Sequence, residues 1–212
     1  MTNRSDVEVL VIGAGMGGLA AAKILRDNGF TPVVVEKAHE VGGTWRDNRY
    51  PGLYVDIPVL LYQMSFFPQY DWSHAYAPGP EIQDYLVRIA DELDLRRHIH
   101  FGVEVTSAEW VDGRWSVATA SGDTYYADAV IAATGFLHVK KMPTIAGMET
   151  FAGRSFHSSQ WPDDLDAAAL AGKRVAIIGS GSSGIQLVCS LSEMDCDVTQ
   201  YVRTPQWIET VK

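Results

Sequence analysis

The stretch Val7-Glu-Val-Leu-Val-Ile-Gly13-Ala-Gly15-Met-Gly-Gly18 decides the fold. A short apolar run ends in a glycine turn, a helix-like run follows over 19–28, and Thr31-Pro-Val-Val-Val-Glu36 forms a second apolar run. This order predicts strand, turn, helix and buried strand. Each glycine has its own task. Gly13 makes the tight turn, Gly15 lets backbone approach a pyrophosphate, and Gly18 lets the helix pack on the strand. The helix N-terminus then offers free N–H groups and a favourable dipole to the anion.

The pattern recurs. Arg174-Val-Ala-Ile-Ile-Gly179-Ser-Gly181-Ser-Ser-Gly184 is followed by a helix-like run over 185–193 and by Asp197-Val-Thr-Gln-Tyr-Val-Arg203. A lone glycine triad is a weak signal, but here each copy has its strand before it and its helix after it. The two copies differ at the end of their second strand. Glu36 stands 23 residues after Gly13, where an acid accepts hydrogen bonds from ribose hydroxyls and repels a 2′-phosphate. Arg203 stands 24 residues after Gly179, where a guanidinium can pair with a 2′-phosphate, with Thr204 adding a hydroxyl. The first site is therefore expected to hold FAD or NAD(H), and the second NADP(H). The plainer alternative for Arg203 is a solvated charge at a strand end.

Between the copies, Pro80 to Leu95 reads as a helix with Ile82, Tyr85, Leu86, Ile89, Ala90 and Leu93 at three/four spacing. Short strands are predicted over 101–105, 108–111, 115–119 and 124–126, and a buried one over 128–135. Residues 37–80 form a long aromatic-rich insertion of the kind that is usually functional. The fold class expected is α/β: two Rossmann-like dinucleotide-binding units, the second incomplete, with an inserted small β-meander. The domains read as an FAD-binding unit over 1–140, a linker over 141–172 and the start of an NADP-binding unit over 173–212.

Composition narrows the function classes. The 212 residues are 47% apolar and 20% charged, with a formal charge of −9. An acidic chain without a basic face argues against nucleic acid as a partner. No apolar run approaches the roughly 20 residues of a membrane span, and the start lacks a signal-peptide core. Cys189 and Cys196 form no metal-ligand or redox motif and read as reduced, buried thiols of a cytoplasmic protein. No metal site is expected.

Two longer motifs point further. Gly42-Gly43-Thr-Trp45-Arg-Asp-Asn-Arg-Tyr50-Pro51-Gly52-Leu-Tyr-Val-Asp56 resembles the G-G-x-W-x4-[FY]-P-G-x3-D signature of Baeyer–Villiger monooxygenases. Phe151-Ala-Gly153-Arg-Ser-Phe-His157-Ser-Ser-Gln-Trp161-Pro162 resembles their F-x-G-x3-H-x3-W-[PD] fingerprint. Both match at every fixed position, and the resemblance covers essentially the whole chain. Thr44–Asn48 and Ala77–Ile82 are similar to the 4-hydroxyacetophenone monooxygenase branch. Hydroxylating flavin-containing relatives usually lack the Trp-Pro ending, so Trp161-Pro162 favours ester formation. Thioredoxin-reductase-like enzymes need a cysteine pair that this sequence lacks.

The resemblance implies roles. Gly13, Gly15, Gly18 and Glu36 would hold the ADP part of FAD, and Gly43, Thr44 and Trp45 would lie along the flavin. Asp56 would sit at the flavin near the nicotinamide, with Tyr62 and Val105 as further FAD contacts. Gly179, Ser180, Gly181, Ser182, Ser183, Gly184, Gln186, Arg203 and Thr204 would hold NADPH. His157 would govern domain movement and NADPH use, or simply pin the linker. Trp45, Tyr50 and Trp161 read equally as packing aromatics. The activity implied is NADPH- and dioxygen-dependent insertion of one oxygen next to a ketone carbonyl, giving an ester or lactone. Oxygenation at nitrogen or sulfur is the alternative.

Enzymes of this family are more than twice this length and return to their FAD domain late in the chain. The 212 residues are therefore expected to be the N-terminal part of a monooxygenase, one half of a split enzyme completed by a second chain, or a non-catalytic nucleotide-binding remnant. Little ester-forming activity is expected of them alone.

Overall fold

The computed structural model describes residues 4–207. They form two compact units. Among the described residues, the first comprises 4–47, 64–68 and 80–139, and the second 48–63, 69–79 and 140–207.

The first unit is built on a six-stranded sheet. Strand β1 (Arg4–Ile12) leads through the glycine turn into helix α1 (Met16–Asp27) and strand β2 (Pro32–Glu36). A four-residue helix, α2 (Thr44–Asp47), and the long helix α3 (Gly79–Glu92) precede strands β3 (Ile99–Phe101), β4 (Val105–Val111), β5 (Arg114–Thr119) and β6 (Thr124–Ala132). The sheet order is β3-β2-β1-β6-β5-β4. β1 runs parallel to β2 and to β6, and β4, β5 and β6 form an antiparallel meander. Alternation along β1 and β2 sends Leu10 and Val35 into one core layer with Val117, Tyr125 and Ala127. Val9, Val11 and Val34 are buried as well, and α1 packs on β1 and β2 with Leu19 and Ala22 out of solvent.

The three/four pattern of α3 is realised as expected, with Ile82, Tyr85, Leu86, Ile89 and Ala90 all buried. The helix stops where Asp94 turns left-handed at φ 51° and Leu95 donates back to the Ala90 carbonyl. The meander differs from the sequence reading. The stretches expected as separate strands over 124–126 and 128–135 are one strand, β6, paired with β1 from Arg4↔Thr124 to Ile12↔Ala132. Its first half also pairs with β5 on the other edge, so the meander continues the sheet of β1 and β2. Asp128 does not break the strand, because it lies exposed, 3.3 Å from Arg114 Nε. The burial expected over 128–135 is only partial, since Asp128, Ala129 and Ala132 are exposed.

In the second unit, strand β7 (Lys173–Ile178), helix α5 (Ser182–Ser192) and strand β8 (Cys196–Tyr201) form a parallel two-stranded β-α-β element. The short helix α4 (Ala167–Leu170) precedes it, capped by Asp166, whose carboxylate accepts from Ala169 N–H. One core joins Tyr50, Leu170, Ile177, Leu187 and Leu191, with Trp161 and Leu165 against it. The two strands were expected to be buried. They alternate instead, with Ile178 58% and Tyr201 59% exposed, because α5 covers one face only.

Tyr85 shows how the first unit uses a buried hydroxyl. It accepts from Met64 N–H and donates to the Phe67 carbonyl, each at 2.8 Å. Burial pushes its phenol above the ordinary value, outweighing the Met64 hydrogen bond and the Arg88 charge. A raised value in the folded state means a contribution that is complete below about pH 10 and lost as pH rises through the folded value. Tyr85→Phe is expected to cost about 1–3 kcal/mol at neutral pH and to flatten the alkaline loss of stability. Urea denaturation from pH 7 to 11 checks both, and an unchanged midpoint at pH 7 would show the hydroxyl to be dispensable.

Candidate nucleotide-binding sites

The first glycine turn lies at the carboxyl ends of three parallel strands. Gly13 N–H donates to the Val35 carbonyl at 2.8 Å, and Ala133 N–H donates to the Ile12 carbonyl at 2.9 Å. Gly13 has φ 104°, and a Cβ on it would meet the Ala133 carbonyl oxygen at 2.6 Å. A Cβ on Gly18 would stand 1.8 Å from the Gly13 carbonyl oxygen. Gly15 caps α1 without any side-chain hydrogen bond, so the first-turn N–H groups are left to a ligand or to water. Gly42 N–H donates to the Ala14 carbonyl at 3.0 Å, and Gly43 Cα lies near Gly15, where a Cβ on Gly43 would approach to 3.2 Å. This bare backbone cradle, aimed by a helix dipole, fits a pyrophosphate.

Glu36 closes the cradle. It is buried, its Oε2 accepts from Ala14 N–H at 2.8 Å, and its Oε1 accepts from Ala38 N–H at 3.0 Å. Arg46, which the sequence reading left without a role, adds a third donor: Nη1 lies 3.2 Å from Glu36 Oε1. Arg46 Nε also donates to Asp47 at 2.8 Å. Burial works against the Arg46 charge, but the Asp47 hydrogen bond and the Asp47 and Glu36 charges outweigh it and raise its pKa. The only trace of this in the sequence is a charged residue just after Trp45 in a glycine-led segment.

Of the other expected flavin contacts, Thr44 and Trp45 lie in or beside the cradle segment, on α2. Val105 starts β4 and packs on the sheet core. Tyr62 lies in the second unit, where its N–H closes a 3-10 turn onto the Val59 carbonyl.

The second turn repeats the first with more space. Gly179 N–H donates to the Tyr201 carbonyl at 3.0 Å, and a Cβ on Gly184 would meet the Gly179 carbonyl oxygen at 2.8 Å. Gly181 caps α5 without a side-chain hydrogen bond, and nothing lies within 4 Å of a Cβ placed there. Ser180 donates to the Thr204 carbonyl at 3.1 Å, tying the turn to the exposed bend that carries Arg203. A cavity of about 290 Å³ beside the turn is lined by Ser180, Ile185, Gln200, Val202, Pro205 and Gln206.

Within the same unit, residues 50–56 run along α5. Tyr50 accepts from Ser183 Oγ at 3.0 Å and donates to Gln186 Oε1 at 2.8 Å. Gln186 in turn donates to the Tyr54 carbonyl at 2.9 Å, and Ser182 Oγ donates to Asp56 Oδ2 at 3.0 Å. Burial pushes the Tyr50 phenol above its ordinary value, against the Ser183 hydrogen bond and with help from the Asp56 charge. A Cβ on Gly52 would meet Ser190 Cβ at 2.8 Å, so the strap can pass only as glycine. His157 Nδ1 caps a 3-10 turn, accepting from Ser159 N–H at 3.1 Å. That leaves Nε2 to carry the proton of the neutral ring. Among the described residues, no group of three or more His, Cys, Asp or Glu could hold a metal ion, and no helix is long and apolar enough to cross a membrane.

Residues 6–211 match the family described as flavin-binding monooxygenase-like. The chain belongs to that family. An uncharacterized monooxygenase of Mycobacterium tuberculosis is 47% identical over 209 residues, which cover 98% of this chain and 41% of that protein. A Baeyer–Villiger monooxygenase of Streptomyces coelicolor is 46% identical over 205 residues, covering 95% and 39%. The crystal structure of cyclohexanone monooxygenase from Rhodococcus sp. Phi1 bound to NADP+ superposes with a TM-score of 0.86 at 40% identity, covering 97% of this chain and 39% of that one. The chain thus spans about two fifths of the length of these relatives.

Two of these glycines, the third of the first turn and the second of the second turn, are expected to respond differently to one methyl group. Gly18→Ala forces helix from strand and should destabilise the protein by about 1–3 kcal/mol. Gly181→Ala meets nothing and should stay within about 0.5 kcal/mol of the parent. Equal losses in chemical denaturation would contradict the difference in packing.

Proposed function

We propose that this chain carries the FAD-binding part and the beginning of the NADPH-binding part of a Baeyer–Villiger monooxygenase, an enzyme that inserts one oxygen from dioxygen next to a ketone carbonyl to give an ester or lactone. The observation that carries the proposal is the pairing of two uncapped glycine cradles with opposite strand-end charges, a buried Glu36 at one and an exposed Arg203 at the other. The two family fingerprints support the chemistry, as do the Baeyer–Villiger relatives.

In this reading the FAD unit falls within residues 1–140, the linker within 141–172, and the NADP unit starts at 173. Gly13, Gly15 and Gly18 receive the FAD pyrophosphate, and Glu36 accepts from the adenosine ribose. Gly43, Thr44 and Trp45 bound the flavin side, with Tyr62 and Val105 as further contacts. Gly179, Gly181 and Gly184 open the way for the NADPH pyrophosphate to the N–H groups of α5. Arg203 and Thr204 take its 2′-phosphate, and Ser180, Ser182, Ser183 and Gln186 line the approach. Asp56 presents a carboxylate at the head of α5, and His157 sets the linker turn. The bound flavin, reduced by NADPH, supplies the oxygen-activating chemistry, while the protein positions its partners and excludes water.

The test begins with the purified protein passed through a desalting column. A retained flavin band, with little or no ester or lactone formed from a ketone and NADPH by these residues alone, is the expected result. Oxidation stimulated only by amines or sulfides would move the reading to heteroatom oxygenation, and a colourless folded protein would remove it. Arg203→Ala should lower the preference for NADPH over NADH at least tenfold. An unaltered preference would take the 2′-phosphate away from Arg203.

A further inference from the structure

Arg46 has no part in the family fingerprint, where its position is one of four unspecified residues between Trp45 and Tyr50. Yet it is drawn into the first cradle and its side chain is only 12% exposed. Its guanidinium joins three segments of the first unit. Nη1 donates to Glu36 Oε1 at 3.2 Å and to the Glu40 carbonyl at 2.5 Å, while Nε donates to Asp47 at 2.8 Å. Long flexible side chains are rarely buried unless paired, and a planar fork holds a carboxylate in one orientation where a lysine would not.

Glu36 is the group so held. Its two oxygens have about four acceptor positions. Ala14 N–H, Ala38 N–H and Arg46 take three of them. The carboxylate is thereby clamped from the turn, from its own strand end and from α2. We propose that Arg46 is the positioning residue for adenosine recognition at the first cradle: by clamping Glu36 Oε1 it fixes the carboxylate direction left for the ribose 2′-hydroxyl. It also offsets the buried charge, so that the site discriminates by hydrogen-bond geometry more than by bare repulsion. This rests on the reading that the first cradle holds FAD.

The test is a cycle between a residue and a hydroxyl. Apoprotein is titrated with FAD and with its 2′-deoxyadenosine analogue, followed by flavin fluorescence, for the parent, Arg46→Lys and Arg46→Ala. The parent should prefer FAD at least tenfold, and Arg46→Ala should bring that preference below threefold. Arg46→Lys should keep a preference between the two, because it returns the charge without the fork. Equal weakening of both ligands in Arg46→Ala, with the ratio unchanged, would show a purely structural role and overturn the proposal. So would a parent that binds both ligands equally. If Arg46→Ala does not fold, an unchanged ratio in Arg46→Lys overturns it in the same way. A parent that binds neither ligand overturns the FAD reading itself, which is a separate and recognisable failure.

Discussion

A buried carboxylate at the end of β2 holds the first nucleotide cradle together. Glu36 reaches across to the turn between β1 and α1 and accepts from Ala14 N–H, a donor that a tight glycine turn would otherwise leave unsatisfied. An unpaired buried carboxylate would be costly, and the Arg46 guanidinium beside it meets that cost. Sheet, turn and α2 are thus one electrostatic construction. The acid that reads as a ligand residue in the sequence is first a structural one.

The two cradles share a backbone plan and differ in their surroundings. Around the first, the Ala133 carbonyl closes on Gly13 and the Gly13 carbonyl on Gly18, so that neither leaves room for a Cβ. Around the second, Gly179 and Gly181 face open space, although Gly184 still packs on the Gly179 carbonyl. The first turn is therefore the more closely packed of the two and the second the more open.

Residues 42–56 read as one signature, yet they are divided between the units at Asp47 and Asn48. Gly42 to Asp47 serve the first cradle. Tyr50 to Asp56 lie along α5 of the second unit, where Tyr50 bonds Ser183 and Gln186. The aromatic that reads equally as plain packing proves to be an anchor whose hydroxyl meets Ser183 of the second glycine motif and Gln186 one turn further along α5. Its ring packs in the core and its hydroxyl satisfies helix side chains, the usual division of labour for a half-buried tyrosine.

The sequence by itself determined both β-α-β elements, because glycine spacing, apolar runs and strand-end charges are local signals tied to backbone geometry. It likewise determined α3, whose apolar stripe is buried from Ile82 to Ala90, although Leu93 falls past the helix end and is only half-buried. Only the tertiary structure decided that residues 124–132 are a single strand serving two neighbours, since a strand's pairing partners are non-local and Asp128 looks like a break in one dimension. It also decided that β6, β7 and β8 are partly exposed, because burial depends on which faces are covered and an apolar run cannot report that. The ion pair of Arg46 with Glu36 and the Tyr50 anchor on α5 belong to the same class. They join residues 10 and 133 positions or more apart, through side-chain directions that no spacing rule in the sequence contains.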